Sequence, residues 1–112
     1  MRAAAVGLAH PPVLDDAGLR TLGWEIAERA LGCVRDRATD PAARRMLGQT
    51  LAYVPSVYAA AGPEEGFRRL ARWAALPEVE VKKLVIANLR KARLARKYPE
   101  ACAQVAERLS EE

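Results

Sequence analysis

Seven cationic side chains, Lys82, Lys83, Arg90, Lys91, Arg93, Arg96 and Lys97, fall within VKKLVIANLRKARLARKYPE over residues 81–100, with no acid between Glu80 and Glu100. Such a run can contact phosphates, where counterion release makes affinity strongly salt-dependent. Taken as one continuous helix at about 100° per residue, it puts Lys82, Lys83, Arg90, Arg93, Arg96 and Lys97 within an arc of about 140°, with Lys91 off the arc. Val81, Leu84, Val85 and Ala92 lie outside that arc, and Ile86 projects among the cations. A solvated face accounts for the same pattern, because late cations complement the helix dipole and can pair with acids such as Glu64, Glu65 or Glu107. No aromatic platform for stacking bases interleaves the cations apart from Tyr98. Asn88 falls on the apolar side, where an unpaired amide costs about 1–3 kcal/mol, so it is expected to bond the backbone of a neighbouring loop.

The other reactive residue types are scattered. His10 sits beside Pro11 and Pro12 with no serine or cysteine near it in sequence, a poor setting for a general base. Asp15 and Asp16 precede Gly18 and Leu19 as helix caps do. Cys33 and Cys102 show neither CxxC spacing nor a second metal-ligand type nearby, and read as small core residues. Trp24 and Trp73 read as core, while Tyr53 and Tyr58 flank Pro55 and are expected to fill a hairpin corner. No glycine-rich phosphate loop, nucleophile elbow or metal spacing is present, so the expectation is a chain that is not an enzyme and holds no cofactor or metal.

The elements that must position these residues follow from composition and punctuation. The 112 residues are one domain's worth, expected as a single helical domain over 1–112. Apolar residues make up 51% but aromatics only 5%, and the excess of Ala, Leu and Val favours packed helices over sheet. The net charge of +4 is local to the cationic run, because elsewhere Lys and Arg are outnumbered by the 14 Asp and Glu. The cysteine usage suits a reducing interior, the start MRAAAVGLAHPPV only faintly imitates a signal peptide, and no run reaches the roughly 20 apolar residues of a span. A cytoplasmic protein without membrane contact is expected.

Proline is tolerated at the first helical position and breaks helix interiors, so the prolines announce helix starts. Asp40 caps a helix opening at Pro41 with Ala43, Met46, Leu47, Leu51 and Val54 as its apolar stripe, ended or bent by Pro55. Gly62 and Pro63 open the next, with Glu64 and Glu65 in the first turn and Phe67, Leu70, Ala71 and Ala74 inward. Further helices are expected from Pro77 and Pro99. An earlier one, capped by Asp15 or Asp16, runs through Leu19, Leu22, Ile26, Ala30 and Val34, with Gly23 and Gly32 marking close helix approach. The opening RAAAVGLA has room for two turns before His10.

Self-similarity organises the second half. DPAARRMLGQTL (40–51) and EVEVKKLVIANL (78–89) align without gaps at an offset of 38, pairing Arg44 and Arg45 with Lys82 and Lys83. GPEEGFRRLARWA and YPEACAQVAERLS align at an offset of 36. Residues 40–76 and 77–110 are therefore candidate repeat units, each a helical hairpin. This grammar resembles the HEAT and armadillo class of helical repeats. The run Asn88-Leu89-Arg90-Lys91-Ala92-Arg93-Leu94, followed by Pro99-Glu100, is similar to the terminal repeat of bacterial HEAT-repeat proteins related to the DNA-alkylation-repair family. The resemblance covers roughly 40–110 and implies an all-α fold, a short α-solenoid of HEAT-like antiparallel hairpins, with an irregular helical bundle as the alternative. No active site carries over, since no catalytic aspartate with aromatic neighbours matches. A non-catalytic interaction or scaffold module, binding a protein partner or itself, is the first functional expectation. A nucleic-acid-binding accessory protein using the basic face of 82–97 is the second.

Overall fold

The computed structural model describes residue 14 and residues 16–110, and among these it contains helices and no strand. In chain order the helices are α1 (Ala17–Arg35), α2 (Pro41–Leu51), α3 (Val54–Ala61), α4 (Pro63–Ala74), α5 (Val79–Leu89), α6 (Ala92–Ala95) and α7 (Pro99–Ser110). The expectations placed on the first residues, including the opening helix, His10 and Asp15, lie outside the described residues.

Local chemistry starts most of these helices as the punctuation suggests. Asp16 accepts from the Leu19 N–H at 3.0 Å and Asp40 from the Ala43 N–H at 3.1 Å, each satisfying a donor that the first turn leaves orphaned. Pro41 and Pro63 occupy the first turns of α2 and α4, and Pro99 is the first residue of α7. Pro77 differs: α5 begins at Val79 with Glu78 in the cap position, so this proline belongs to the bend before the helix. Glu78 makes no capping bond, and one of its carboxylate oxygens pairs with Arg35.

Proline 55 is where sequence and structure part most. It ends α2 as expected but also lies in the first turn of α3, so the unit expected as a pair of helices over 40–76 holds three. A proline at 55 has no N–H to give the carbonyl of Leu51, and the helix stops there. The long helix expected across 81–97 is broken at the aligned place: α5 stops at Leu89 and α6 starts at Ala92, as α2 stops at Leu51 and α3 starts at Val54. The second break carries no proline; Lys91 N–H bonds the Asn88 carbonyl at 3.1 Å in a tightened last turn.

The helices lie in two rows. Thr21 meets Glu65, Glu28 meets Arg69, and Arg35 at the end of α1 meets Glu78 just beyond α4, so α1 and α4 run in the same direction. Phe67, Ala71, Ala101, Val105 and Arg108 share one groove, which sets α7 beside α4, and the Phe67 and Tyr98 rings meet near the starts of the two helices. In the other row, Gly48 and Leu84 share a cleft and Leu51 meets Asn88, so α5 follows α2. The extents of 36 × 35 × 20 Å fit a slab two helices thick.

Between the rows lies the core, with Trp24, Leu51, Val54, Tyr58, Leu70, Val81, Val85 and Leu94 all but fully buried. Tyr58 is part of it, correcting the corner position expected for it, and its ring lies 5.7 Å from that of Trp24. A Cβ on Gly23 would stand 2.8 Å from the Tyr58 ring, so this glycine does mark a close approach, whereas Gly32 faces open space. The inward stripe of α1 is Gly23, Trp24, Ala27, Ala30, Leu31 and Val34, while Leu19 and Leu22 are exposed. Met46, expected inside, is 51% exposed. Cys33 and Cys102 are half-buried free thiols, and burial pushes the Cys102 thiol up.

Candidate functional site

Three constellations carry the polar chemistry. The first is the joint at Asn88. This side chain is fully buried; its Nδ2 donates to the carbonyls of Leu51 and Leu84 at 2.8 Å each, and its Oδ1 accepts from the Ser56 N–H at 2.8 Å. The Leu51 carbonyl is the group that Pro55 leaves without a helical donor, so one amide from α5 repairs the break between α2 and α3.

The second is an ionic cluster around a buried arginine, which sequence reading missed. Arg69 is 8% exposed, donates to Glu28 at 2.7 Å and to Glu65 at 3.0 Å, and stacks over the Trp24 ring at 5.9 Å. Burial alone would lower its basicity, but the hydrogen bonds and charges of Glu28 and Glu65 outweigh that and leave it raised. Thr21 donates to the same Glu65 carboxylate. The four-residue spacing of Glu65 and Arg69 was the available signal; Glu28 and Trp24 come from α1, a long way off in sequence.

The third is basic and splits in two. Lys82 does not join the outward stripe: its Nζ donates to the carbonyl of Ala74 at 2.9 Å, at the end of α4. Lys83, Arg90, Arg93, Arg96 and Lys97 are exposed, and Lys97 lies 5.7 Å from the Tyr98 ring. Because the helix is broken between Leu89 and Ala92, the single arc expected for these cations does not form. The acids suggested for pairing with them are not so used; among the described residues none of the cations of 82–97 forms an ion pair, and Glu65 serves Arg69.

The other half is a cleft between the end of α1, α2 and the start of α5. One part, about 300 Å3, is lined by Val34, Arg35, Arg37, Arg44, Glu78, Glu80 and Val81. A neighbouring hollow of about 220 Å3 shares Val34, Arg44 and Glu80 with it and adds Arg45, Gly48 and Leu84. Arg44 is fixed by its Nε, which donates to the Val34 carbonyl at 3.1 Å, and its two terminal nitrogens bond nothing among the described residues. Arg35 holds Glu78 in an ion pair; that hydrogen bond keeps the Glu78 carboxyl below the usual carboxylate range. The other carboxylate oxygen of Glu78 is buried without a partner among the described residues.

Arg44 and Lys82, paired by the internal alignment, do the same job: each reaches back to a carbonyl at the C-terminal end of the preceding helix, where a cation also complements the helix dipole. Among the described residues no group of three His, Cys, Asp or Glu is placed to hold a metal ion, and no helix is long and apolar enough to cross a membrane. No family model, curated protein or solved structure matches this chain.

Proposed function

We propose that this chain is a short HEAT-like helical array serving as a non-catalytic interaction module for a protein partner or a second copy. The observation that carries the reading is the equivalence of Arg44 and Lys82, aligned cations that fasten two successive outer helices to the helix before them. The aligned breaks after Leu51 and Leu89 and the seating of α4 between α1 and α7 support it. Arrays of this kind present extended surfaces and bind through them. The test is light scattering on size-exclusion fractions over a wide concentration range, together with affinity co-purification from the native host. A chain that stays monomeric throughout and retains no partner refutes the module.

A second reading has its own support. Lys83, Arg90, Arg93, Arg96 and Lys97 are exposed and free of ion pairs among the described residues, so this end of the chain offers uncompensated charge to a phosphate backbone. Lys82 drops out of that surface because Ala74 occupies it. Titration of a labelled duplex at two salt concentrations decides it: binding at low salt, with each charge removed at Lys83, Arg90 or Arg93 reducing the salt slope by about one, supports this reading. No binding at low salt removes it.

A further inference from the structure

We propose that the cleft between the end of α1, α2 and the start of α5 binds an acidic peptide segment that carries an apolar side chain next to its carboxylate. This deepens the interaction-module reading and rests on it for its biological setting, since it names the partner's chemistry.

Three features of the cleft converge. The Arg44 guanidinium is held by a backbone bond through Nε, so its two terminal nitrogens are pre-oriented and unpaired among the described residues. A planar fork of this kind matches a carboxylate, and fixing it in advance removes most of the ordering cost. Exposed Arg37 and Arg45 stand on the rim on either side of it, whereas Arg35 is committed to Glu78.

The second part of the cleft has an apolar floor of Val34 and Leu84, open because residue 48 is glycine. A Cβ there would meet nothing within 4 Å. The aligned position in the next unit is Ile86, a half-buried side chain. The first unit thus leaves vacant a place that the second fills with a branched residue. The two hollows meet at Val34 and Arg44, so an occupant with a carboxylate on Arg44 and an apolar group beside it reaches both.

Charge selects among anions. Glu78 and Glu80 line the same cleft, and their carboxylates repel a multiply charged phosphate chain more than a single carboxylate. The combined size lies within the usual range of ligand sites and suits one apolar side chain with its acidic neighbour.

The probe is a fluorescein-labelled decapeptide of leucine and serine with one central glutamate beside a leucine, followed by anisotropy and by amide NMR shifts on the whole chain. Binding with shifts centred on Val34, Gly48 and Leu84 is expected, and a peptide with lysine in place of glutamate should not bind. Arg44→Gln should weaken binding by about tenfold or more, the usual effect of losing a charge-assisted bond. Gly48→Leu, which fills the floor beside Arg44 while keeping its charge and favours the helix, should do the same while melting no earlier than the parent. Arg93→Gln should bind as the parent does. Parent-like affinity in Gly48→Leu, an equal loss in Arg93→Gln, shifts centred on residues 83–97, or no binding at millimolar peptide each overturns the proposal. Those failures leave the module itself to the light-scattering and co-purification result, so the two can fail separately.

Discussion

Replacing Asn88 is the sharpest perturbation of the fold, because its amide does three things at once. In Asn88→Ala the Ser56 N–H keeps a second acceptor, the Tyr53 carbonyl at 3.0 Å, and the Leu84 carbonyl keeps its place in the α5 ladder. The Leu51 carbonyl has no such reserve, since Pro55 cannot donate to it and Leu51 is fully buried. One orphaned buried carbonyl plus a small cavity amounts to a loss of about 2–4 kcal/mol. With a urea slope of about 1.5 kcal/mol per M for a chain this size, the midpoint followed by circular dichroism should fall by roughly 1.5–2.5 M. Asn88→Asp sharpens the test. Its second oxygen would face two carbonyl oxygens, so the folded protein favours the protonated acid and raises that carboxyl. The sign follows: between the ordinary carboxylate range and the raised folded value, the folded state holds the extra proton, so stability relative to the parent rises as pH falls from 7 toward about 4. A loss below about 0.5 kcal/mol for Asn88→Ala, or an Asp variant as stable as the parent at pH 7, refutes the account of the joint.

Gly66→Ala should destabilise by about 1–3 kcal/mol in a thermal melt, because the new Cβ would stand 2.4 Å from the Ala59 backbone, whereas Gly48→Ala, facing open space in α2, should stabilise by up to about 1 kcal/mol. Burial pushes the Tyr58 hydroxyl up to about 12, so an ultraviolet titration should leave one tyrosine un-ionised above pH 11, and stability should fall as pH climbs from 10 toward 12 because the unfolded chain loses that proton first.

What could be read in advance was what one residue decides alone. Pro41, Pro63 and Pro99 sit at helix starts because a missing N–H does no harm there, and Asp16 and Asp40 cap because their acceptors reach only three residues on. An amide on the apolar side of α5 had to bond something, yet its partner depends on a carbonyl freed by a proline in another helix, which no local pattern contains. Pro55 and Pro77 were ambiguous for the same reason: a proline before a helix and one inside its first turn look alike until the neighbouring helices fix the path. Met46 and Leu22 had inward spacing, but what covers a side chain is decided by the opposing row. The cleft draws on residues 34–37, 44–48 and 78–84 and has no signature in any one of them; only the pairing of Arg44 with Lys82 hinted that these cations have work to do inside the fold.

The buried Arg69 cluster sets the two seams of its row apart. Ionic and aromatic contacts together close α1 onto α4, while α4 meets α7 through Phe67, Tyr98 and Val105. A hydrogen-bonded ion pair accepts one geometry, whereas greasy contacts tolerate small slides. Register along the α1–α4 seam is therefore pinned by the grip of Arg69 on Glu28, while the carboxyl-terminal helix finds its seat chiefly by shape.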